Sequence, residues 1–289
     1  MSAARALRQR LARGPILVAP GAHDALTARI VDRAGFEAVY FTGAGVSYTH
    51  LGAPDLGLAS LTEMTMRLAA VVEATRLPVI ADADTGYGGV LNVRRTIREF
   101  ERAGAAAIQL EDQVFPKRCG HLDGKAVVPV EEMVGKIRAA VDARRDPDTL
   151  LIARTDARGP LGLEAALERA HRYRGEGADV LFVEAPASRD ELARIAAALP
   201  PPVMANMVEG GRTPLCPAHE LEAMGYRLVI FPGAAVRAAA AAMVKVMDAL
   251  KRHGTTAGTL DAMLSFDELN ALLGLPVWRE LEARWEGRL

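Results

Sequence analysis

The chain has few cysteines, few aromatic residues and no excess of charge of either sign. Cys119 and Cys216 are the only cysteines among 289 residues, and they form no CxxC pair. This argues against a disulfide framework and a structural zinc site, and it indicates a reducing cytoplasm. Because 35 basic residues face 36 acidic ones, no overall field favours nucleic acid or a membrane surface. Small-molecule chemistry fits this balance best.

Long hydrophobic runs are also missing, although 50% of the residues are hydrophobic. No segment is long and apolar enough to cross a membrane, and residues 3–11 lack the apolar stretch and cleavage site of a secretory signal. We therefore expect a soluble, unsecreted protein without a membrane partner. A chain of this length and hydrophobic content is typical of a single barrel.

Short apolar runs alternate about eight times with longer amphipathic stretches. The runs are rich in Val, Ile, Leu and Ala, as strands buried on both faces are. Glycines 35, 104, 177 and 225 follow predicted helices and lead directly into strands, a position that favours a left-handed helix cap. The pattern predicts an α/β fold, a (β/α)8 TIM barrel, with strands at residues 16–19, 38–41, 79–81, 106–110, 150–153, 180–183, 203–205 and 228–231.

Polar residues follow the carboxyl ends of most of these strands. Any one of them alone is more often a cap or turn residue than a functional group. A barrel, however, brings all eight carboxyl ends to one rim, where active sites of this fold lie. The residues that we expect to meet there are Thr42, Gly43, Asp82, Asp84, Glu111, Arg154, Glu184, Asn206, Pro232 and Gly233.

Three of the rim residues form a candidate metal site. Asp82 and Asp84 are two residues apart, so both would face the same way on an extended strand, and Glu111 ends the next one. Mg2+ or Mn2+ suits such oxygen ligands because it retains waters and takes few direct carboxylates. The Asp-x-Asp pattern alone is more often a solvated loop.

Cys119 lies between cationic or titratable residues, Lys117, Arg118 and His121. This setting predicts a flexible, exposed loop in which the pKa of the thiol is lowered toward neutrality, so that it can give or take a proton. One alternative is a small buried cysteine with a packing role. A nucleophile paired with His121 is disfavoured, because residues two apart do not readily form that pair and no third orienting group is evident.

Arg154 and the segment 42–45 are candidate anion-binding groups. A guanidinium after a buried strand can grip a substrate carboxylate, and the glycine-rich segment offers backbone donors. The alternatives are a structural ion pair for Arg154 and an ordinary glycine turn for the segment.

Residues 251–289 exceed what one barrel of residues 1–250 requires. Helices are expected at 266–273 and 277–285. Trp278, Leu281 and Trp285 form an apolar stripe that must be buried, either on the same barrel or on a neighbouring subunit.

Seven motifs together carry a resemblance that covers nearly the whole chain. They are YFTGAG (40–45), GAPDLG (52–57), ADADTGYG (81–88), LEDQ (110–113), KRCGH (117–121), ARTDA (153–157) and NMVEGGRTP (206–214). With these motifs the chain resembles the isocitrate lyase/phosphoenolpyruvate mutase superfamily, in particular its methylisocitrate lyase and dimethylmalate lyase-like branch.

The resemblance implies a barrel whose last helix is swapped between subunits, in a homotetramer of two swapped pairs. It implies Mg2+ held by Asp82, with Asp84 and Glu111 acting largely through water. It further implies Cys119 as an acid on a mobile lid, residues 113–125. The 2-oxo acid part of the substrate would be bound by Thr42, Gly43, Ala44, Asp82 and Arg154.

The implied reaction is a retro-Claisen cleavage of a di- or tricarboxylate, in which Cys119 protonates the departing carbon. Tyr40 is the candidate base for the hydroxyl group, once its pKa is lowered by the metal. Donors to the departing enolised carboxylate are Lys117, Gly120, His121, Asn206 and Thr213, and Asp55 and Glu184 complete the predicted substrate-binding set.

Two departures from the family pattern bear on the substrate. Gln109 stands where methylisocitrate lyases tend to have His, and residues 209–212 are more similar to those of dimethylmalate lyase-like members. A substituted malate such as 2,3-dimethylmalate, giving pyruvate and propionate, is favoured over 2-methylisocitrate. A carboxyphosphonoenolpyruvate mutase-type reaction, decarboxylation of oxaloacetate and a catalytically inactive assembly barrel are the alternatives.

Overall fold

Eight parallel strands close into a barrel in the computed structural model, which describes residues 2–287. Each strand pairs with the next in sequence, and the last pairs with the first. The predicted (β/α)8 barrel is therefore confirmed. The strands are β1 (Leu17–Ala22), β2 (Val39–Phe41), β3 (Val79–Asp82), β4 (Ala107–Glu111), β5 (Leu150–Thr155), β6 (Val180–Val183), β7 (Val203–Asn206) and β8 (Leu228–Phe231).

The first strand is the one that departs most from its predicted bounds. We place it at residues 16–19, whereas β1 continues to Ala22. Pro20 and Gly21 are usually turn residues, but here they keep the parallel register, opposite Phe231 and Tyr40 respectively. The barrel closure on both sides therefore outweighs the local preference.

Helices connect the strands. Gly35, Gly104, Gly177 and Gly225 all have positive φ angles of 83° to 115°, so the predicted left-handed positions between helix and strand are confirmed. The helices are α1 (Ala3–Leu11), α2 (Ala25–Arg33), α3 (Gly43–Val46), α4 (Leu61–Glu73), α5 (Val90–Arg102), α6 (Val130–Ala143), α7 (Arg158–Leu161), α8 (Leu163–Gly175), α9 (Arg189–Ala198) and α10 (Ala218–Met224), with a π-helical turn at Ser47–Leu51.

Helix α1 closes the amino end of the barrel. Leu7 and Leu11 belong to the same buried cluster as the inward-facing strand residues. Arg8 donates a hydrogen bond to the carbonyl of Asp148, just before β5, and Arg10 pairs with Glu37, just before β2. The opposite end, where the strands finish, is left for the predicted site.

The chain divides by its contacts into two compact units, Met1–Ala234 and Ala235–Leu289. The second contains most of α11 (Ala234–His253), a 3-10 turn (Ala257–Ala262), α12 (Phe266–Leu272) and α13 (Leu275–Trp285). Both expected tail helices are present. The tryptophan stripe is not buried in the single chain, however, since Trp278 and Trp285 are 61% and 74% exposed. A boundary at residue 250 and exchange of the last helix stay predictions. No helix among residues 2–287 combines the length and apolar character needed to cross a bilayer.

Candidate active site

The predicted site residues gather at the carboxyl ends of the barrel strands. Asp82, Glu111 and Asn206 are the last residues of β3, β4 and β7. Arg154 lies one residue before the end of β5, and Glu184 follows β6. All five are buried, and for the four charged ones burial is unusual unless they are paired.

Arg154 lies among three carboxylates. Its guanidinium makes two hydrogen bonds to Asp156, at 2.8 and 3.0 Å, and lies 3.3 Å from an oxygen of Glu111 and 3.3 Å from one of Glu184. Burial acts to lower its pKa, but the carboxylates outweigh burial and raise the pKa well above its usual range. Arg154 is thus a fixed cation in a buried acidic pocket.

Asp156 and Asp112 contact the predicted site, although the motif analysis gave them no role. Asp156 is fully buried, and its backbone N–H donates to Asp112 at 2.8 Å. Asp112 also accepts hydrogen bonds from the side chains of Thr155, Arg169 and Tyr173. This buried network fixes Asp156, which in turn orients Arg154 through its two hydrogen bonds. The spacing of Asp156, two residues from Arg154, is the signal that could have identified it.

Lys117 joins the lid to the barrel. Its ammonium is ion-paired with Asp55 and lies 2.7 Å from an oxygen of Asp84. Burial acts to lower its pKa, but Asp84 and Asp55 raise it well above the usual range. The lysine is therefore charged and already neutralised by these two carboxylates.

A turn after β3, and not the alternation of side chains along a strand, brings Asp82 and Asp84 together. Asp84 lies beyond β3 with a positive φ of 47°, and its backbone N–H donates to an oxygen of Asp82 at 3.1 Å. The expectation that both belong to one extended segment is wrong, because the chain turns immediately after Asp82. Both carboxylates are nonetheless buried at the rim.

Negative charge exceeds positive charge in this pocket. Neither oxygen of Glu111 has a hydrogen-bond partner within residues 2–287, and burial raises the pKa of Glu111 well above the ordinary range. Burial, with Asp84 next, raises the pKa of Asp82 to about 6. Such an arrangement is costly unless a cation compensates it.

The donor set fits Mg2+ or Mn2+, which take oxygen ligands and retain several waters. Among residues 2–287, no group of three or more His, Cys, Asp or Glu side chains is arranged to hold a metal by itself. Asp82 as ligand, with Asp84 and Glu111 acting through water, stays a prediction.

Gln109 links Tyr40 to Asp82. The phenol of Tyr40 donates to the amide oxygen of Gln109 at 3.1 Å, and the amide nitrogen donates to Asp82 at 3.1 Å. Burial, followed by the charge of Asp82, raises the pKa of Tyr40 well above its usual value. Tyr40 therefore holds its proton at neutral pH.

The thiol of Cys119 is not tuned as the sequence led us to expect. Cys119 is half-buried, and burial raises the pKa of its thiol instead of lowering it toward neutrality. The ammonium of the neighbouring Lys117 is ion-paired with Asp55 and Asp84. The backbone N–H of Cys119 donates to the carbonyl of Asp55 at 3.1 Å. The group is consequently a protonated thiol, suited to an acid and poorly suited to a nucleophile.

Part of the lid is folded onto the rim, whereas Val114, Phe115 and Leu122 are exposed. Lys117 and Gly120 are buried. The side chain of Gln113 donates to the backbone carbonyl of Arg118 at 2.8 Å and accepts from its backbone N–H at 3.0 Å. An isolated bridge pairs Gln113 with Val127, so the two ends of the loop are held together. The expected exposed loop is correct for those three residues and wrong for Lys117 and Gly120, because Lys117 and Lys125 hold the segment to the barrel through buried ion pairs.

His121 carries a donor into the pocket. Its Nδ1 accepts a hydrogen bond from the backbone N–H of Arg212 at 3.0 Å, so the neutral ring bears its proton on Nε2, 3.4 Å from Glu184. Burial lowers the pKa of His121, which favours that neutral form. Asn206 donates to Glu184 at 3.0 Å, while the Asn206 Oδ1 and Thr213 Oγ1 atoms are buried without a partner. Unpaired buried polar atoms concentrated in one place indicate a ligand.

The segment after β2 lies beside the acidic cluster. Thr42 caps α3 by accepting the N–H of Gly45 at 3.2 Å, and Ala44 is half-buried. A Cβ on Gly43 would lie 3.1 Å from Asp82 and 3.3 Å from Asp84. Glycine at this position therefore keeps open the space in front of both carboxylates.

We expect Gly120→Ala to prevent the lid from reaching the rim. A Cβ there would lie 2.5 Å from a nitrogen of Arg154 and 2.5 Å from a carbon of Glu184. Because a misplacement of about 1 Å can cost on the order of 100-fold in rate, turnover should fall by about that factor while the melting temperature changes little. Gly175→Ala is the matched control, since no atom lies within 4 Å of its Cβ position. Full activity of Gly120→Ala would contradict the need for this close approach.

The family model described as phosphoenolpyruvate phosphomutase matches residues 7–251. The chain belongs to this family. Over 282 residues it is 54% identical to 2,3-dimethylmalate lyase of Eubacterium barkeri, and the match covers 98% of each chain. The predicted membership in the isocitrate lyase/phosphoenolpyruvate mutase superfamily is confirmed.

Solved structures of family members superpose on almost the whole chain. Oxaloacetate acetylhydrolase in complex with the inhibitor 3,3-difluorooxalacetate has a TM-score of 0.93 at 40% identity, covering 99% of this chain and 97% of that one. Phosphonopyruvate hydrolase in complex with oxalate and Mg2+ has a TM-score of 0.88 at 30% identity, covering 99% of both chains. Members of the family thus act on different small oxo acids and their relatives, so this chain's substrate is argued from its own site.

Proposed function

We propose that this protein is a Mg2+-dependent carbon–carbon lyase that cleaves a substituted malate, 2,3-dimethylmalate, into pyruvate and propionate. The observation that carries the proposal is a half-buried thiol on a lid that is partly folded over a pocket of buried carboxylates and one guanidinium. The high identity to a dimethylmalate lyase over the full length supports the same substrate class. 2-Methylisocitrate, a longer relative, is the second substrate to test.

The reaction breaks the bond between C2 and C3. The 2-hydroxyl loses its proton and becomes the keto oxygen of pyruvate, while the bonding electron pair stays on C3 as an enolised carboxylate. Protonation of that carbon gives propionate. The protein must therefore bind two carboxylates, take one proton from oxygen and give one to carbon.

The pyruvate half of the substrate is bound beside β2, β3 and β5. Arg154 binds its carboxylate, and Thr42, Gly43 and Ala44 surround its oxygens from the segment that the small Gly43 keeps open. Asp82, Asp84 and Glu111 would hold Mg2+, whose positive charge would polarise the substrate's oxygen. Tyr40 is the candidate group to take the hydroxyl proton, as a phenolate, and this role requires the charge of bound Mg2+ to overcome the raised pKa of its phenol.

The departing half of the substrate lies against the lid. Its carboxylate meets two donors without a hydrogen-bond partner among residues 2–287, His121 Nε2–H and the Thr213 hydroxyl. The Nδ2 of Asn206, which donates to Glu184 here, the charge of Lys117 and the backbone of Gly120 complete this side. Cys119 gives its proton to C3 of the enolate. The raised pKa of Cys119 supports this step, since the thiol stays protonated at neutral pH.

The test is a panel of separate incubations of the purified protein with Mg2+ and 2,3-dimethylmalate, 2-methylisocitrate, oxaloacetate or carboxyphosphonoenolpyruvate. We expect the highest kcat/KM with 2,3-dimethylmalate and loss of activity in EDTA. A preference for carboxyphosphonoenolpyruvate would replace the lyase with a phosphorus–carbon enzyme. Loss of oxaloacetate alone would favour the second candidate, a carbon–carbon bond reaction of oxaloacetate, which the likeness to oxaloacetate acetylhydrolase supports.

The location and assembly are part of the same proposal. Both cysteines are free, which suits a reducing cytoplasm. The exposed tryptophans of the tail suit burial against another copy, as in a tetramer of helix-swapped pairs.

A further inference from the structure

Lys125, at the far end of the lid, makes two contacts that the proposed reaction does not use. Its ammonium donates to the backbone carbonyl of Gly120 and to an oxygen of Asp156, the latter at 2.8 Å. The side chain is only 5% exposed. A lysine held so deeply by one lid carbonyl and one barrel carboxylate ties the lid to the barrel at a point away from Lys117.

The barrel end of this link is the carboxylate that holds Arg154. Each carboxylate oxygen of Asp156 accepts one hydrogen bond from Arg154. One of these oxygens, Oδ1, also accepts a hydrogen bond from Lys125. Burial would raise the pKa of Asp156, but Arg154 and Lys125 outweigh it and lower the pKa to about 2. The carboxylate is therefore ionised, and two cations divide its charge when the lid is closed.

We propose that Lys125 is a positioning residue that couples closure of the lid to the orientation and free charge of Arg154, through Asp156. With the lid closed, Lys125 takes part of the charge of Asp156, so Arg154 has more of its own charge available for a substrate carboxylate. With the lid lifted, Asp156 is balanced by Arg154 alone, and the guanidinium is bound more tightly to its own carboxylate. Binding of a 2-oxo acid and closure of the lid thus favour each other.

This inference rests on the proposed function in one respect, the binding of a 2-oxo acid carboxylate by Arg154. Its rival is a purely mechanical anchor, in which Lys125 holds the lid down without affecting Arg154. The two differ in whether the effect of Lys125 depends on the charge of Asp156.

The experiment measures the affinity for oxalate, used as a 2-oxo acid mimic with Mg2+, through protection of Cys119 from alkylation by iodoacetamide. Mass spectrometry of the Cys119 peptide separates it from that of Cys216, which is buried. The variants are Lys125→Met, Asp156→Asn and the double variant. The matched control is Arg118→Met, a lid cation that is exposed and bonds to carbonyl oxygen within the lid.

We expect Lys125→Met to weaken oxalate binding about tenfold in the native background and less than about threefold in the Asp156→Asn background, with Arg118→Met unchanged. Equal weakening in both backgrounds, or none in the first, overturns the coupling and leaves the lyase untouched. If the unaltered protein binds no oxalate with Mg2+, the proposed function fails as well, and the inference falls with it.

If Asp156→Asn does not fold, a second measurement replaces this comparison of single and double variants. The Arg154 Nε–H resonance, assigned by its absence in Arg154→Lys, reports the hydrogen bond to Asp156 directly. Coupling predicts that Lys125→Met shifts this resonance and that Lys125→Arg does not. An unchanged resonance in Lys125→Met overturns the proposal.

Discussion

Replacement of Cys119 with alanine is expected to lower the turnover of 2,3-dimethylmalate by about 1,000-fold and to leave the fold intact. Loss of a positioned acid commonly costs on the order of 100- to 10,000-fold. The backbone hydrogen bonds of Cys119, to Asp55 and from Leu122, do not involve the side chain and persist in the variant. The measurements are pyruvate release at saturating Mg2+ and a thermal melt by circular dichroism.

Cys216→Ala is the matched control for Cys119→Ala. Cys216 is buried under Met207 and lies outside the pocket residues, so its replacement should affect packing rather than turnover.

The contribution of Cys119 to turnover should depend on pH in one direction. Because burial raises the pKa of Cys119, the acid is present through neutral pH, and its contribution is lost only as the pH rises through that value. Unaltered turnover in Cys119→Ala would remove the thiol from the mechanism.

Arg154→Met is expected to abolish activity and to lower the free energy of unfolding by about 3–5 kcal/mol. Removing one partner of a buried ion pair leaves an uncompensated charge, and costs of about that size are typical. Here the variant leaves Glu111, Asp156 and Glu184 facing one another with one cation fewer. Urea unfolding at neutral pH gives the difference directly.

The loss of stability in Arg154→Met should become smaller as the pH falls. In the unaltered protein the pKa of Asp156 is depressed to about 2, so its stabilising contribution is present above the unfolded pKa and is lost as the pH falls toward 2. In Arg154→Met, Asp156 and Glu111 lose the guanidinium that lowers the pKa of each, so lowering the pH protonates and relieves them more readily. The difference in stability between the two proteins should therefore shrink from pH 7 to pH 5.

Arg158→Met is the matched control for stability. Arg158 makes two hydrogen bonds to Glu191, but both side chains are more than 20% exposed, so the pair is partly screened by solvent. We expect a loss below about 1 kcal/mol. An Arg154→Met loss no larger than that of the control would contradict the view that the pocket depends on this one guanidinium.

Much of the fold could be predicted because it depends on patterns that short segments carry. Apolar runs such as 180–183 read as strands buried on both faces, and glycines such as Gly225 mark the left-handed step between helix and strand. The end of β1 was missed because Pro20 and Gly21 act as turn residues locally, whereas pairing with β2 and β8 is decided by closure of the barrel.

The members of the site could be predicted by position, but their electrostatic states could not. The cations beside Cys119 in sequence predict a lowered thiol pKa, whereas Lys117 turns to Asp55 and Asp84, and burial decides the result. The link from Lys125 to Asp156 spans 31 residues and depends on how the lid folds over the rim. Such pairings are set by tertiary packing and leave no periodic signal in the chain.

The most direct test of the central claim is proton NMR of the purified protein with Mg2+ and 2,3-dimethylmalate in D2O. We predict pyruvate and propionate in equal amounts, with one deuterium at C2 of propionate, because the exchangeable thiol of Cys119 delivers the proton to that carbon. The same sample with Cys119→Ala should show neither product at a comparable rate. An unchanged substrate spectrum with the unaltered protein, or pyruvate formed equally fast without Cys119, would contradict a lyase whose carbon acid is this thiol.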